Sequence, residues 1–168
     1  PKPGEGIEVL QYGDGTADGK KSLGGNGHLI LFDAGKADRW LTGVEVLGAR
    51  YGMPQPPQEN FHLYVTDAQG QVLQDLPLPY GTFARANPYW CQLPVAPVQV
   101  PKEFGIGLAF NPGQTKGVFV STDKTEDSHS HTWLPGKGMT KLEGSDWLVR
   151  PTVQDEEPKG GLTEVPGG

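Results

Sequence analysis

The sequence has one cysteine and no long apolar run, and each absence excludes a class of structure. A single cysteine, Cys91, cannot form an internal disulfide. Its apolar surroundings, Tyr-Trp-Cys-Gln-Leu, contain no histidine, so we expect a small buried side chain rather than a nucleophile. No stretch reaches the apolar length of a membrane-spanning helix, and we therefore expect no membrane span in this chain.

Basic residues are few and scattered along the chain. The 14 lysines and arginines are outnumbered by 20 aspartates and glutamates, which gives a net charge of −6. Binding of nucleic acid needs a face on which positive charges cluster, because contacts to phosphates dominate the affinity. We therefore expect no nucleic-acid partner and no other polyanionic ligand.

Helical patterns are missing as well. No stretch keeps apolar residues at helical spacing over three turns, while glycine (25) and proline (16) together supply almost a quarter of the 168 residues. Short β-rich stretches separated by turn signals take the place of helices. The sequence therefore predicts an all-β fold with about ten short strands and little or no helix, a β-sandwich of jelly-roll type.

One stretch shows the strand period most clearly. From Phe104 to Phe110 large apolar residues alternate with Gly105, Gly107 and an alanine, so one face of the strand is apolar and the other carries almost no side chain. Two glycines at the same phase indicate that another group approaches the backbone there. A turn at Asn111-Pro112-Gly113 and a β-rich run from Lys116 to Ser121 then predict a central hairpin.

The length of the chain predicts a single domain. We expect a linker at residues 1–6, the β-sandwich at 7–153, and a disordered tail or linker at 154–168, which is acidic and then glycine-rich. Arg39 to Tyr51 carries apolar residues at both phases, which predicts a central strand, and Trp147 is assigned to the core. Because the chain begins at a proline, we expect it to be a piece of a larger protein.

A glycine-rich loop is the first candidate metal site. Asp14, Asp18 and Asn26 would supply side-chain oxygens there, together with free backbone carbonyls, and oxygen ligands are those that calcium prefers. The loop lacks the alternating order of an EF-hand, and aspartate and glycine are also the ordinary residues of tight turns. A structural calcium and a plain turn both remain open.

Two histidines form the second candidate metal site. His129 and His131 are two residues apart, so an extended backbone would present both imidazoles on one face, where they could bind a transition metal such as zinc. Asp127, His28 or His62 would be a further ligand. The alternative is a solvated polar loop.

Aromatic residues supply the candidate ligand-binding surface. Tyr80, Tyr89 and Trp90 flank segments broken by proline, and we expect them to be exposed and able to stack on a sugar or a peptide. Arg50 and Tyr51 are further candidates. These residues favour a binding function for the chain.

Five segments carry a resemblance to a known class of domain. They are the Asp14–His28 loop, the Val44–Tyr51 strand ending in Gly-Ala-Arg-Tyr-Gly, the strand Phe61–Val65, the turn Phe110-Asn111-Pro112, and the closing strand Asp146–Arg150. In order and pattern they resemble the accessory jelly-roll domains of bacterial envelope and secreted proteins, which are similar to the galactose-binding-like sandwich class.

The resemblance implies a location outside the cytoplasm and a non-catalytic role beside other domains of a parent protein. That class also often holds a structural calcium in a comparable loop. We therefore expect a non-catalytic accessory binding or spacer module, with a carbohydrate, a peptide or a protein as its ligand. The alternatives are a metal-binding domain that uses His129 and His131, and a hydrolase, for which Ser22, His28 and Asp14 or Asp18 offer the residue types of a triad.

Overall fold

The fold is all-β and consists of two antiparallel sheets. The computed structural model describes residues 6–22, 27–52, 54–110 and 117–158. Apart from a single 3₁₀ turn at Tyr80–Thr82, the elements in these residues are strands. They are β1 (Ile7–Val9), β2 (Gly19–Lys21), β3 (His28–Asp33), β4 (Arg39–Arg50), β5 (Asn60–Asp67), β6 (Val72–Pro79), β7 (Tyr89–Leu93), β8 (Val98–Val100), β9 (Glu103–Ala109), β10 (Val118–Lys124), β11 (Ser130–Thr132), β12 (Thr140–Lys141), β13 (Ser145–Trp147) and β14 (Val149–Gln154).

β4 is the central strand of the first sheet, as its two apolar phases predict. It pairs with β7, β8, β10 and β14, while β1 pairs with β14, and β2 and β13 pair with β10. The second sheet has the order β12-β11-β3-β9-β5-β6. The number of strands exceeds the predicted ten because β2, β12 and β13 are two or three residues long and lie in stretches that resemble loops.

The pairing is that of a jelly roll. β1 pairs with β14 in the first sheet, β3 with β11 in the second, β4 with β10 in the first, and β5 with β9 in the second. The antiparallel pairs are therefore nested inside one another and alternate between the two sheets, as in one long hairpin rolled into a sandwich. The predicted β-sandwich of jelly-roll type is confirmed.

Apolar side chains from both sheets fill the space between them. Aromatic rings supply much of the volume, because Phe61, Phe83 and Phe110 pack on one another at centroid distances of 5.0–6.0 Å. Trp147 and Cys91 are both buried, as the sequence predicts. His28 also lies in this interior, edge-on against the rings of Phe110 and Trp147.

The predicted hairpin from Phe104 to Ser121 is wrong. β9 lies in the second sheet between β3 and β5, whereas β10 lies in the first sheet beside β4. The chain therefore crosses from one sheet to the other between them, and the predicted turn itself falls in residues 111–116, outside the described part of the chain. Alternation shows which strands have a buried face, but it does not show which sheet they join.

The two glycines of β9 make room for close neighbours, as predicted. A Cβ on Gly107 would lie 2.8 Å from the indole ring of Trp133, and one on Gly105 would lie 2.5 Å from Oγ1 of Thr66. The approaching group is therefore a tryptophan from the segment after β11. Trp133 is almost completely buried against this glycine face.

The two ends of the described sandwich meet. Asp155 donates its backbone N–H to the carbonyl of Gly6, and the Arg39 guanidinium contacts carboxylates of both ends, Glu8 at 2.8 Å and Asp155 at 2.9 Å. β14 ends at Gln154, one residue beyond the predicted boundary at 153. Of the predicted linker at 1–6 and the predicted tail at 154–168, residues 1–5 and 159–168 lie outside the described residues. In the part that is described, no helix is long and apolar enough to cross a membrane.

Candidate functional site

A stacked pair of rings forms the centre of the candidate site. Tyr12 follows β1 and His129 precedes β11, and their rings are nearly parallel with centroids 3.7 Å apart. On its other face Tyr12 stacks on Phe32 at 5.3 Å, and its hydroxyl donates to the carbonyl of Leu31 at 2.9 Å. The Tyr12 ring is therefore covered on both faces and held at its tip.

A buried carboxylate fixes the orientation of His129. Asp146, in β13, is 3% exposed and accepts hydrogen bonds from the backbone N–H of His129 at 2.6 Å and from the hydroxyl of Ser130 at 2.7 Å. Nδ1 of His129 lies 3.2 Å from the other carboxylate oxygen. Because a carboxylate accepts, we assign the imidazole proton to Nδ1. Nε2 then faces Asp127, whose carboxylate lies 4.0 Å away.

These rings form part of the wall of a cleft of about 640 Å³ at one end of the second sheet. The size is within the range of small-molecule sites. His129 is about one-third exposed. The lining residues are Tyr12, Leu31, Phe32, Asp33, Ala68, Glu103, Asp127, Ser128, His129, His131 and Lys141.

Negative charge surrounds the Tyr12 hydroxyl. Burial raises the pKa of Tyr12 to about 12, and the neighbouring carboxylates add to this shift, with Asp146 contributing the most and Asp33 next. The imidazole of His131 is different, because burial and then the Lys141 ammonium lower its pKa. His131 therefore carries no charge near neutral pH.

The two predicted zinc ligands line the same cleft without a complete ligand set. Nδ1 of His129 faces Asp146, and Nδ1 of His131 is buried and has no hydrogen-bond partner among the described residues. Of the further ligands considered, only Asp127 lies nearby, since His28 is in the core and His62 contacts Asp75 at 2.6 Å. Within the described residues, no group of three histidine, cysteine or acidic side chains is arranged to hold a metal ion.

The acidic loop gains a residue that the sequence does not suggest. Asp14 and Asp18 lie beside Asp123 of β10, whose carboxylate accepts from the backbone N–H of Asp14 at 3.3 Å. Asp18 accepts from the backbone N–H of Lys124 at 2.9 Å, which lowers its pKa. Burial, and then the neighbouring Asp18, raise the pKa of Asp123. Asn26 lies outside the described residues, and the structural calcium stays a prediction.

One residue of the predicted aromatic surface lies in the core, and two others are partly buried. Tyr80 is 0% exposed and packs edge-on against Phe61, so the prediction that it is exposed is wrong. Its place in a 3₁₀ turn directs the ring inward although prolines flank the segment. Tyr89 is partly buried and accepts a hydrogen bond from the backbone N–H of Ala84. Trp90 is partly buried under the guanidinium of Arg150, 3.8 Å from the ring centroid.

The two polar candidates are also engaged in structural contacts. Arg50 is mostly buried and donates from Nε to the carbonyl of Phe83 at 2.9 Å. Tyr51 stacks on Phe119 and donates to the hydroxyl of Ser22 at 2.9 Å. None of the five predicted ligand-binding residues lines the 640 Å³ cleft.

The sequence did not indicate that Tyr12, Glu103 and Asp146 come together. Tyr12 and Glu103 line the cleft, and Asp146 holds the His129 ring from behind. The three residues come from separate strands or loops, and only the fold brings them together. The one local signal was the polar stretch around His129, whose partner Asp146 is 17 residues away. Comparison with protein-family models gives no match, and comparison with curated proteins gives none either.

Proposed function

We propose that this chain is a non-catalytic accessory binding module of a larger extracytoplasmic bacterial protein, and that its ligand occupies the cleft beside Tyr12 and His129. The ligand class is a carbohydrate or a peptide. The placement outside the cytoplasm, beside other domains, rests on the resemblance to accessory jelly-roll domains. The observation that carries the binding function is the preorganised cleft itself.

Preorganisation matters because ordering side chains opposes binding. Phe32, Tyr12 and His129 already form a continuous ring stack, and hydrogen bonds hold both the Tyr12 hydroxyl and the His129 ring. A ligand that enters the cleft therefore meets walls whose conformational entropy is already lost. The lining combines apolar side chains with a few charged groups, which is typical of specific sites.

The test is a titration followed by backbone amide chemical shifts. Neutral oligosaccharides and short blocked peptides are added separately to the labelled chain, to His129→Ala and to Gln92→Ala, a matched control exposed on β7 of the other sheet. We expect shifts around residues 127–131 in the wild type and in Gln92→Ala, and at least tenfold weaker binding in His129→Ala. Equal binding by the two variants would overturn the assignment of this cleft.

A second candidate function is hydrolysis, because Asp146 and His129 form an acid–imidazole pair that opens onto the cleft. The hydroxyls of Ser128 and Ser130 donate to the Ser145 carbonyl and to Asp146, so the nucleophile would be water, deprotonated by Nε2 of His129. Ser22 and His28 do not form the triad considered from the sequence, since Ser22 contacts Tyr51 and His28 is in the core. Release of p-nitrophenol from an activated ester that His129→Ala abolishes would favour this candidate.

A further inference from the structure

We infer that the cleft beside Tyr12 and His129 binds a basic side chain, a lysine or an arginine presented by a peptide or protein partner. The inference rests on the proposed binding function and narrows its ligand class. Four properties of the described residues carry it: the charge of the lining, the lack of partners for two carboxylates, the coverage of the tyrosine ring, and the apolar wall.

The lining carries more negative than positive charge. Asp33, Glu103 and Asp127 contribute carboxylates, and Asp146 lies directly behind His129. Lys141 is the only lysine or arginine among the lining residues, and His131 is neutral. A charged site of one sign raises the local concentration of ligands of the opposite sign.

Within the described part of the chain, two of these carboxylates, Asp127 and Glu103, form no ion pair with a lysine or an arginine. Asp33 is neutralised by Lys102, whose ammonium lies 2.9 Å away. The Asp127 side chain is 90% exposed, and its ion-pair neighbour is the His129 imidazole at 4.0 Å. Glu103 lies directly opposite Asp33 in the β3–β9 pair, so the single Lys102 ammonium, whose charge also acts on Glu103, serves two carboxylates. An incoming ammonium or guanidinium would add a second positive charge beside them.

The tyrosine supports the same conclusion about charge. After burial, the causes that raise the pKa of Tyr12 are the carboxylates of Asp146, Asp33, Asp127 and Glu103, in that order. Four separate side chains from different strands and loops therefore act on one point in the cleft wall. The field in the cleft is negative, which favours a cation.

Coverage of the tyrosine ring argues against a neutral sugar. Sugars stack on an open aromatic face, but Phe32 covers one face of Tyr12 and His129 covers the other. The side chains of Leu31 and Ala68 instead offer an apolar wall next to the carboxylates. Lysine and arginine combine an apolar stem with a charged head, and both parts have a counterpart here.

The experiment compares matched pentapeptides by isothermal titration calorimetry at 50 mM and 300 mM salt. Each peptide is acetylated and amidated, with glycines around a central arginine, citrulline, lysine or norleucine. Citrulline keeps the shape of arginine without its charge. We expect the arginine and lysine peptides to bind at least tenfold more tightly than their neutral partners, and more weakly at the higher salt concentration.

Three variants place the binding in the cleft. Asp127→Asn should weaken binding of the arginine peptide about tenfold. Glu157→Gln removes an equal charge from an exposed position outside the cleft and should change the affinity less than twofold. Lys141→Met should tighten binding, because it removes a competing positive charge. Equal affinities for arginine and citrulline, or equal losses in Asp127→Asn and Glu157→Gln, would overturn the inference.

The outcomes also separate this inference from the proposed function. A neutral oligosaccharide that binds the wild type but not His129→Ala would overturn the basic ligand while keeping the cleft as a binding site. An arginine peptide that binds His129→Ala and Asp127→Asn as well as it binds the wild type would place the site elsewhere. That result would overturn both.

Discussion

Asp123 and Asp146 are the same residue type in nearly the same place, with different surroundings. They lie directly opposite each other in the antiparallel pair of β10 and β13, and their exposed fractions are 8% and 3%. Asp146 accepts from the backbone N–H of His129 and the hydroxyl of Ser130 and contacts the His129 ring. Asp123 accepts one long hydrogen bond from Asp14 and faces a second carboxylate, Asp18.

The difference shows that donors, more than burial alone, decide what a buried carboxylate does. Asp146 accepts hydrogen bonds from groups that would otherwise be buried without partners. The Ser130 hydroxyl extends this network, because it also accepts a hydrogen bond from the backbone N–H of Trp147. Asp123 satisfies little and repels its neighbour. We therefore expect removal of the Asp146 carboxylate to lower the stability of the fold, and removal of the Asp123 carboxylate to leave it nearly unchanged or slightly higher.

The largest effect is expected from Asp146→Ala. The substitution leaves the His129 backbone N–H, the Ser130 hydroxyl and the His129 ring without their acceptor, in a site almost closed to water. We expect the free energy of unfolding to fall by about 3 kcal/mol, as for the loss of a buried hydrogen-bond network with a charged member. Urea denaturation at pH 7 measures this directly.

The matched control for that measurement is Asp123→Ala, which removes the opposite carboxylate of the same strand pair. It should leave the urea midpoint nearly unchanged. If the two alanine variants lose the same stability, the donors around Asp146 contribute nothing beyond burial, and the comparison between the two sites fails.

His28 extends the comparison to a buried base. Burial lowers the pKa of its imidazole from 6.5 to about 4, since only the carbonyls of Leu108 and Lys21 offset the loss of water. The unfolded chain therefore binds a proton at a higher pH than the folded chain does, and stability falls as the pH drops from 6.5 toward 4. We expect this residue to lower the free energy of unfolding by about 2 kcal/mol between pH 7.5 and pH 5.

Urea denaturation of the wild type and of His28→Gln at each pH gives the free energies of unfolding of both proteins. Their difference isolates the contribution of His28, because the carboxylates are common to both. The wild type should lose stability relative to the variant as the solution becomes more acidic. A difference that stays constant from pH 7.5 to pH 5 would contradict the assignment of a neutral, buried imidazole.

Much of the fold follows from the sequence because short-range patterns encode it. Alternation of apolar residues, and turn residues between the runs, predict the strands and the central position of β4. The same patterns failed for Phe104 to Ser121, because a strand in either sheet of a sandwich buries one face. The glycines of β9 signalled a close neighbour, but only the fold identifies Trp133.

The site was less predictable because its contacts are long-range. Asp123 joins Asp14 across 109 residues, and Tyr12 touches Leu31 across 19. Tyr80 was mispredicted for a local reason. Its segment is rich in proline, which is typical of a surface loop, but the tyrosine ring lies in the core. Local composition indicates exposure poorly wherever a turn reverses the direction of a side chain.

The smallest expected effect comes from Asp123→Asn, and its sign is the reverse of that for Asp146→Ala. The pKa of Asp123 is raised in the folded chain, so the folded chain holds this proton more tightly than the unfolded chain does. Stability therefore falls as the pH rises and Asp123 ionises, and the loss is complete near pH 7. An asparagine cannot ionise, and we expect a gain of about 0.5 kcal/mol at pH 7, comparable to one exposed charge pair. The gain should shrink as the pH falls toward the pKa of a free carboxyl group.

Calcium distinguishes two ways of relieving the same repulsion. The cation predicted from the Asp14 loop would lie between the carboxylates and bind only the folded chain. At ten times its dissociation constant it would add about 1.4 kcal/mol to the free energy of unfolding, and so raise the melting midpoint. We expect this rise in the wild type but not in Asp123→Asn, which has already lost the repulsion. An equal rise in both proteins would mean that calcium binds away from Asp123, and no rise in either would leave the loop as a turn held by Thr16 and Lys124.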